Sequence, residues 1–164
     1  MSPRLTQLAI GVAVLLILAA SALAIWRFEH TLATGQTVLI ELAPVDPRSI
    51  MQGDYMALAF TIDRALPDDV ARHRYVWLTL TEQGVARFHS LSHQLPQQQD
   101  KIGLLLRQRD GIYSVGPNAF FFTEGSAKLY EPARYGRFKV DSSGKALLTA
   151  LLDENLQLLG ENAR

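Results

Sequence analysis

Apolar residues are crowded at the start of this chain and punctuated after it. From Leu5 to Trp26 the sequence reads LTQLAIGVAVLLILAASALAIW, 22 residues without a charge. As a helix that stretch is about 33 Å long, against a hydrocarbon thickness of about 30 Å. It has no polar face to turn to water, which argues against a surface or core helix of a soluble domain. Beyond Glu29 the pattern breaks into short β-forming runs separated by turn residues. Gln36–Leu42 and Tyr55–Ile62 read as two strands. Tyr75–Thr81 and Val85–His89 flank Glu82-Gln83-Gly84 and read as a hairpin. Ile102–Arg107 and Ile112–Val115 flank Asp110-Gly111, and Gly136–Val140 and Ala146–Leu152 flank Asp141-Ser142-Ser143-Gly144, predicting two more hairpins.

The expected fold is therefore mainly β. An N-terminal transmembrane helix precedes a compact, antiparallel, hairpin-rich domain, for which a small barrel is one closure. One or two short helices are expected in it, within Thr123–Arg134, where Pro132 lies near the end, and as one turn within Leu66–His73. The boundary is placed at 1–27 for the anchor and 28–164 for the domain.

Two readings of the first segment compete. Ala20-Ser21-Ala22 and Ala22-Leu23-Ala24 fit the small-x-small pattern of a cleaved signal peptide. The apolar run, however, exceeds the usual 7–15-residue signal core, and Trp26 stands where an interfacial aromatic belongs. The length argument favours an uncleaved anchor in the bilayer through residues 5–26. Arg4 and the amino terminus then sit inside and the domain outside the cytoplasm, as expected for a bacterial inner-membrane protein crossing once.

Charge narrows the partners. The chain has 16 Lys plus Arg and 16 Asp plus Glu; setting aside Arg4 and Arg27 leaves 14 basic residues against 16 acidic in the remainder. Such a balance argues against a nucleic-acid binder and supplies no polybasic patch for anionic lipid. With no cysteine, disulfides, thiolate metal sites and cysteine nucleophiles are excluded. No cofactor motif is present.

The densest local information is Ala43-Pro44-Val45-Asp46-Pro47-Arg48-Ser49-Ile50-Met51-Gln52-Gly53-Asp54-Tyr55. Asp46 stands where an N-cap belongs, Pro47 at the first helical position and Gly53 at a helix end, so one helical turn is expected over Pro47–Gln52. The run Gly53-Asp54-Tyr55-Met56-Ala57-Leu58-Ala59-Phe60 resembles the signature of the GDYXXLXY family, Gly-Asp-Tyr-x-x-Leu-x-Tyr, with Phe60 in place of the last tyrosine. The resemblance extends to Pro44-Val45-Asp46-Pro47-Arg48-Ser49 before it. It extends also to Tyr130-Glu131-Pro132-Ala133-Arg134-Tyr135-Gly136, and to the layout of an apolar span before a compact domain. It implies a bacterial, membrane-anchored protein working beside an integral membrane protein.

The motif set Asp46, Arg48, Gly53, Asp54, Tyr55, Leu58 and Phe60, with Tyr130, Glu131, Arg134 and Tyr135, is the expected interaction region. Turn chemistry accounts for the first group by itself, and a Glu131–Arg134 pair at helical spacing accounts for the second. A hydrolase would need Asp54 to converge with Arg48, Ser49 or Glu131; a small-ligand binder would need an open barrel mouth. Ser49 followed by Gly53-Asp54 is similar in layout to serine–lysine peptidases, but the spacing is wrong and no motif surrounds Lys101 or Lys128. His89 and His93 are four apart on what reads as strand and loop, so they and His73 are expected to be exposed hairpin residues with no metal. Phe120-Phe121-Phe122 cannot all face one core in a strand, so at least one ring is expected to point outward.

Overall fold

The structure, a computed structural model, describes residues 3–43, 51–52, 55–98, 100–109, 111–123 and 125–161. Asp46, Arg48, Ser49, Gly53 and Asp54 lie outside the described residues. The chain divides into two compact units, Met1–Thr34 and Gly35–Arg164.

The first unit is one helix, α1 (Pro3–Thr34). Its segment Gln7–Thr34 is long and apolar enough to cross a membrane, and none of its most apolar window is buried by protein. Leu8, Leu15, Leu16, Ile17 and Ile25 are all exposed. A helix that presents leucine and isoleucine on every side is at rest only in an apolar medium. The helix continues past Arg27, so the expected division at 27/28 falls inside it.

The second unit is β-rich and antiparallel. Its elements are β1 (Gln36–Glu41), β2 (Met51–Gln52), β3 (Tyr55–Ala57), α2 (Thr61–Arg64), β4 (Tyr75–Leu80), β5 (Ala86–Ser92), β6 (Lys101–Leu105), β7 (Arg107–Arg109), β8 (Ile112–Ser114), β9 (Ala119–Phe121), α3 (Ala127–Tyr130), β10 (Tyr135–Val140), β11 (Ala146–Leu152) and β12 (Leu158–Glu161). A 3-10 turn at Asp68–Arg72 precedes β4. The sheets run β1-β10-β11-β12, β2-β3-β9, β5-β4-β6 and β7-β8.

Single bonds stitch the sheets at their corners. Leu39 N–H donates to Gly84 C=O at 3.0 Å, Ala43 N–H to Ala59 C=O at 2.8 Å, and Leu105 N–H to Gly144 C=O at 2.8 Å. Among the described residues they do not close into a barrel. The interior is filled: Ile40, Phe60, Leu78, Leu104, Phe120, Phe138 and Leu151 are fully buried in one cluster.

Three local readings change. First, Met51 and Gln52, expected at the end of a helical turn, form β2 and pair with Met56 and Tyr55; hairpin pairing outweighs the local capping signals. Second, Tyr55–Ile62 is a strand only over Tyr55–Ala57, and Thr61–Arg64 is a helical turn. Alternating burial nonetheless continues to Phe60, with Met56, Leu58 and Phe60 inward. Third, β6 does not join the hairpin around Gly111 but pairs with β4, because Ile102 and Leu104 belong to the core. Only Arg107–Arg109, exposed throughout, pairs with Ile112–Ser114.

The expected hairpins at Glu82–Gly84 and Asp141–Gly144 are present, each closed by a glycine in the left-handed region, φ +78° at Gly84 and +82° at Gly144. There the absence of a side chain matters twice at Gly144: a Cβ would also lie 2.8 Å from the Gly103 carbonyl oxygen.

Candidate functional site

The motif strand β3 divides its residues by parity. Met56, Leu58 and Phe60 point into the core; Tyr55 points out. Opposite Tyr55 in register stands Phe121 of β9, and the two rings lie 5.9 Å apart, tilted by 44°. Phe121 is 61% exposed, whereas its neighbours Phe120 and Phe122 are 0% and 8% exposed. The expectation that one of three consecutive phenylalanines faces outward is met by the middle one. An aromatic pair of this kind on an outward sheet face offers apolar area with little side-chain entropy to lose on contact.

Behind that face, the motif residues build the core. Phe60 packs edge-on to Phe138 with centroids 5.6 Å apart. Gly116 lies against the ring, where a Cβ would stand 2.5 Å from Phe60 Cε2. The ring that replaces the family's tyrosine is 1% exposed. Tyr130 of α3 is sandwiched by Phe120 at 5.1 Å and Phe122 at 5.0 Å, and a Cβ at Gly160 would collide with it. Since α3 also packs on β3, Tyr130 joins the motif strand from the core side.

The other members of that second group go elsewhere. Glu131 and Arg134 are exposed, and Arg134 Nη1 donates to the Ala133 carbonyl at 3.1 Å. Among the described residues no Glu131–Arg134 ion pair occurs; Arg87 pairs with Glu41 at 3.7 Å and Arg137 with Glu161 at 2.9 Å. Tyr135 opens β10 opposite Glu41 and packs on the separate cluster of Leu39, Val85 and Leu152. There it lines a shallow cleft of about 330 Å³ with Thr81, Glu82 and Arg87. So Tyr55, Leu58, Phe60 and Tyr130 are brought together, and Tyr135 is not brought to them.

One polar group near the motif escaped the sequence reading. Asp63, in α2 just after Phe60, accepts from Ser114 Oγ–H at 2.7 Å and from Val115 N–H at 2.9 Å. Burial pushes its carboxyl above the ordinary range, against the lowering effect of those hydrogen bonds. Both oxygens are engaged, so Asp63 fastens α2 to the β8–β9 connection and presents no free base to a substrate. Its signal in the sequence was an acid directly after the run Tyr55–Ile62 that read as strand. Among the described residues no group of three or more His, Cys, Asp or Glu could hold a metal.

A family model described as GDYXXLXY protein matches residues 17–151, from inside α1 to the penultimate residue of β11. No curated protein and no solved structure matches the chain. The match covers the helix from Ile17 onward and the β-rich unit as far as Leu151, motif strand included, and the chain belongs to the GDYXXLXY family.

Proposed function

We propose that this protein is a membrane-anchored accessory domain that docks on an integral membrane protein through the outward face of the motif sheet, Tyr55 and Phe121. The observation that carries the reading is the split of the motif: its inward residues complete the core, while Tyr55 is left beside an exposed phenylalanine. A fold needs the first set; of the second, Phe121 is left exposed among the described residues. In this reading α1 crosses the bacterial inner membrane with Arg4 inside, and the β-rich unit lies outside the cytoplasm. Gly53, Asp54, Asp46 and Arg48 belong to the same motif region of the sequence and are part of the proposal. The reading involves no catalysis.

The test is affinity capture from native membranes, comparing wild type with Tyr55→Ala and Asp54→Ala at matched abundance. A specific integral membrane protein captured by wild type and lost from both variants supports it. Equal recovery in all three removes the motif face from the interaction. A wild-type chain that captures none removes the accessory role.

A further inference from the structure

The segment 94–98, which follows β5, is laid as a strap over the outer face of the β5-β4-β6 sheet. Val76 and Leu78 of β4 are buried in the core, so Trp77 between them points to the other face. Gly103 of β6 stands opposite Trp77, and a Cβ on it would lie 2.8 Å from Leu95 and 2.7 Å from Pro96. The indole N–H of Trp77 donates to the Gln94 carbonyl at 2.7 Å, and Gln94 N–H donates to Ser92 Oγ at 3.1 Å. Between strap and sheet lies a cleft of about 640 Å³.

Two histidines meet where the strap begins. Tyr75, first in β4, pairs with Ser92, last in β5, and Arg74 N–H donates to the Ser92 carbonyl at 3.1 Å. His73, which caps the 3-10 turn, and His93, which leads into the strap, therefore lie just beyond the open end of the ladder. Their rings are stacked, with centroids 5.0 Å apart and planes 27° from parallel.

We propose that the His73–His93 stack is a pH-sensitive latch: it holds the strap 94–98 over Trp77, and protonation of both rings releases it. Three observations carry this. First, the stack joins two separate segments, and its turn-side ring is fixed. His73 Nδ1 lies 3.2 Å from the Asp69 carbonyl oxygen, which only accepts, so Nδ1 holds a proton and any added charge arrives at Nε2. Second, two imidazoles stack while at least one is neutral, whereas two imidazolium ions at this separation repel. Imidazole is the side chain that gains its charge as pH falls from 8 to 5.

Third, the cleft supplies no counter-charge. No carboxylate lines it, and the strap is Gln94-Leu95-Pro96-Gln97-Gln98. The charges on adjoining elements lie around it. Asp68, Asp69 and Arg72 of the 3-10 turn are exposed, and Asp69 meets His73 through its backbone carbonyl. The Arg74 guanidinium lies over the Tyr75 ring at 5.6 Å, the Lys101 ammonium lies over the Trp77 ring at 5.7 Å, and Asp100 is exposed beyond the strap. A second imidazolium thus joins two cations already held on β4 and β6 or their ends.

The experiment is hydrogen exchange of the full chain in lipid nanodiscs, followed by NMR at pH 7.5 and pH 5.0 and corrected for the intrinsic pH dependence of exchange. The reporters are the Trp77 indole N–H and the Gln94 amide, with the β10–β11 amides as reference. Wild type is compared with His73→Phe and His93→Phe, which keep a ring to stack but gain no charge, and with His89→Gln on exposed β5. Each variant is checked for an unchanged melting transition at pH 7.5. In wild type, protection of both reporters should fall at least about fivefold at the lower pH, with the reference amides unchanged. Both phenylalanine variants should lose that fall, and His89→Gln should keep it. The proposal is overturned if wild-type protection is equal at the two pH values, a comparison that needs no variant. It is overturned equally if the reference amides lose protection in parallel, if both phenylalanine variants respond as wild type does, or if His89→Gln abolishes the response. Failure here leaves the docking face of Tyr55 and Phe121 untouched, since the two regions share no residue.

Discussion

The two faces of the motif sheet are made of the same kind of residue and do opposite things. On the inner face Phe60, Phe120 and Tyr130 are buried, interlocked with Phe138 and Phe122, and bounded by glycines that admit the rings. On the outer face Tyr55, half-buried, and Phe121, exposed, lie with ring centroids 5.9 Å apart. Aromatic content alone would rank both as core. What separates them is strand parity, which fixes the face, and the presence or absence of a packed element behind it. The inner face should govern stability, and the outer face should govern association.

The largest lesion separates the faces most sharply. Phe60→Ala removes a fully buried ring from a core closed by Phe138 and Gly116, and should cost about 3–5 kcal/mol, read by denaturant unfolding of the full chain. A loss under about 1 kcal/mol would mean that Phe60 is not a core residue.

Next comes a lesion far from either face. Asp141 Oδ1 accepts from Ser143 N–H at 2.8 Å, Ser143 Oγ–H at 2.7 Å and Lys145 N–H at 3.0 Å. Partial burial pushes its carboxyl up, but these bonds and the Lys145 charge together hold it below the usual value. A depressed folded pKa stabilises above the unfolded value and is lost as pH falls through the folded one. Asp141→Ala should therefore cost roughly 1 kcal/mol at pH 7, with the difference from wild type closing below pH 3.8, the ordinary carboxylate value. Partner capture should survive it, which separates mild instability from loss of the docking face.

A smaller effect lies at the edge of the inner face. Burial raises the Asp63 carboxyl, so the folded chain holds that proton more tightly than the unfolded chain. The sign is opposite to Asp141: its stabilisation is complete below the unfolded pKa, about 4, and is lost as pH rises through the folded pKa. Asp63→Asn keeps an acceptor for Val115 and a donor toward Ser114 but does not titrate. Unfolding measured between pH 4 and 7 should show a flatter decline than wild type. An unchanged slope would mean that the buried acid does not titrate differently on folding.

The smallest stability effect belongs to the outer face. Phe121→Ser should change stability by no more than about 0.5 kcal/mol, because the ring is 61% exposed, while abolishing partner capture. A large destabilisation would make Phe121 a structural residue and erase the contrast.

How much of this was legible depends on which forces act locally. The β10–β11 hairpin could be read because its turn, Asp141 to Gly144, carries both an anchoring aspartate and a glycine at the left-handed position. The next turn has the same hydrogen-bond plan. Asp153 N–H donates to Gln157 C=O, Leu156 N–H to Asp153 C=O, and Asp153 Oδ1 accepts from Asn155 and Gln157 N–H. But its left-handed position, φ +61°, is taken by Leu156, a residue that signals no turn. So β12 went unseen. The end of the motif strand was hidden for a different reason. Thr61-Ile62 has β-forming composition, yet Asp63 is drawn to Ser114 and Val115, 51 and 52 residues away, and the chain turns to reach them. The same holds for the histidines: sequence spacing singled out His89 and His93, and the hairpin register brought His73 to His93 instead. The family motif marked the right strand, but only its alternating burial tells which residues are free to act.

The most direct measurement places a photo-reactive benzoylphenylalanine at position 121 of the full chain in native membranes, with the same residue at position 112 as an exposed control. The account predicts a discrete adduct with an integral membrane protein from position 121, absent from position 112 and lost when Tyr55→Ala is added. No adduct from position 121, or equal adducts from both, would contradict the claim that the outward face of the motif sheet is where this protein meets its partner.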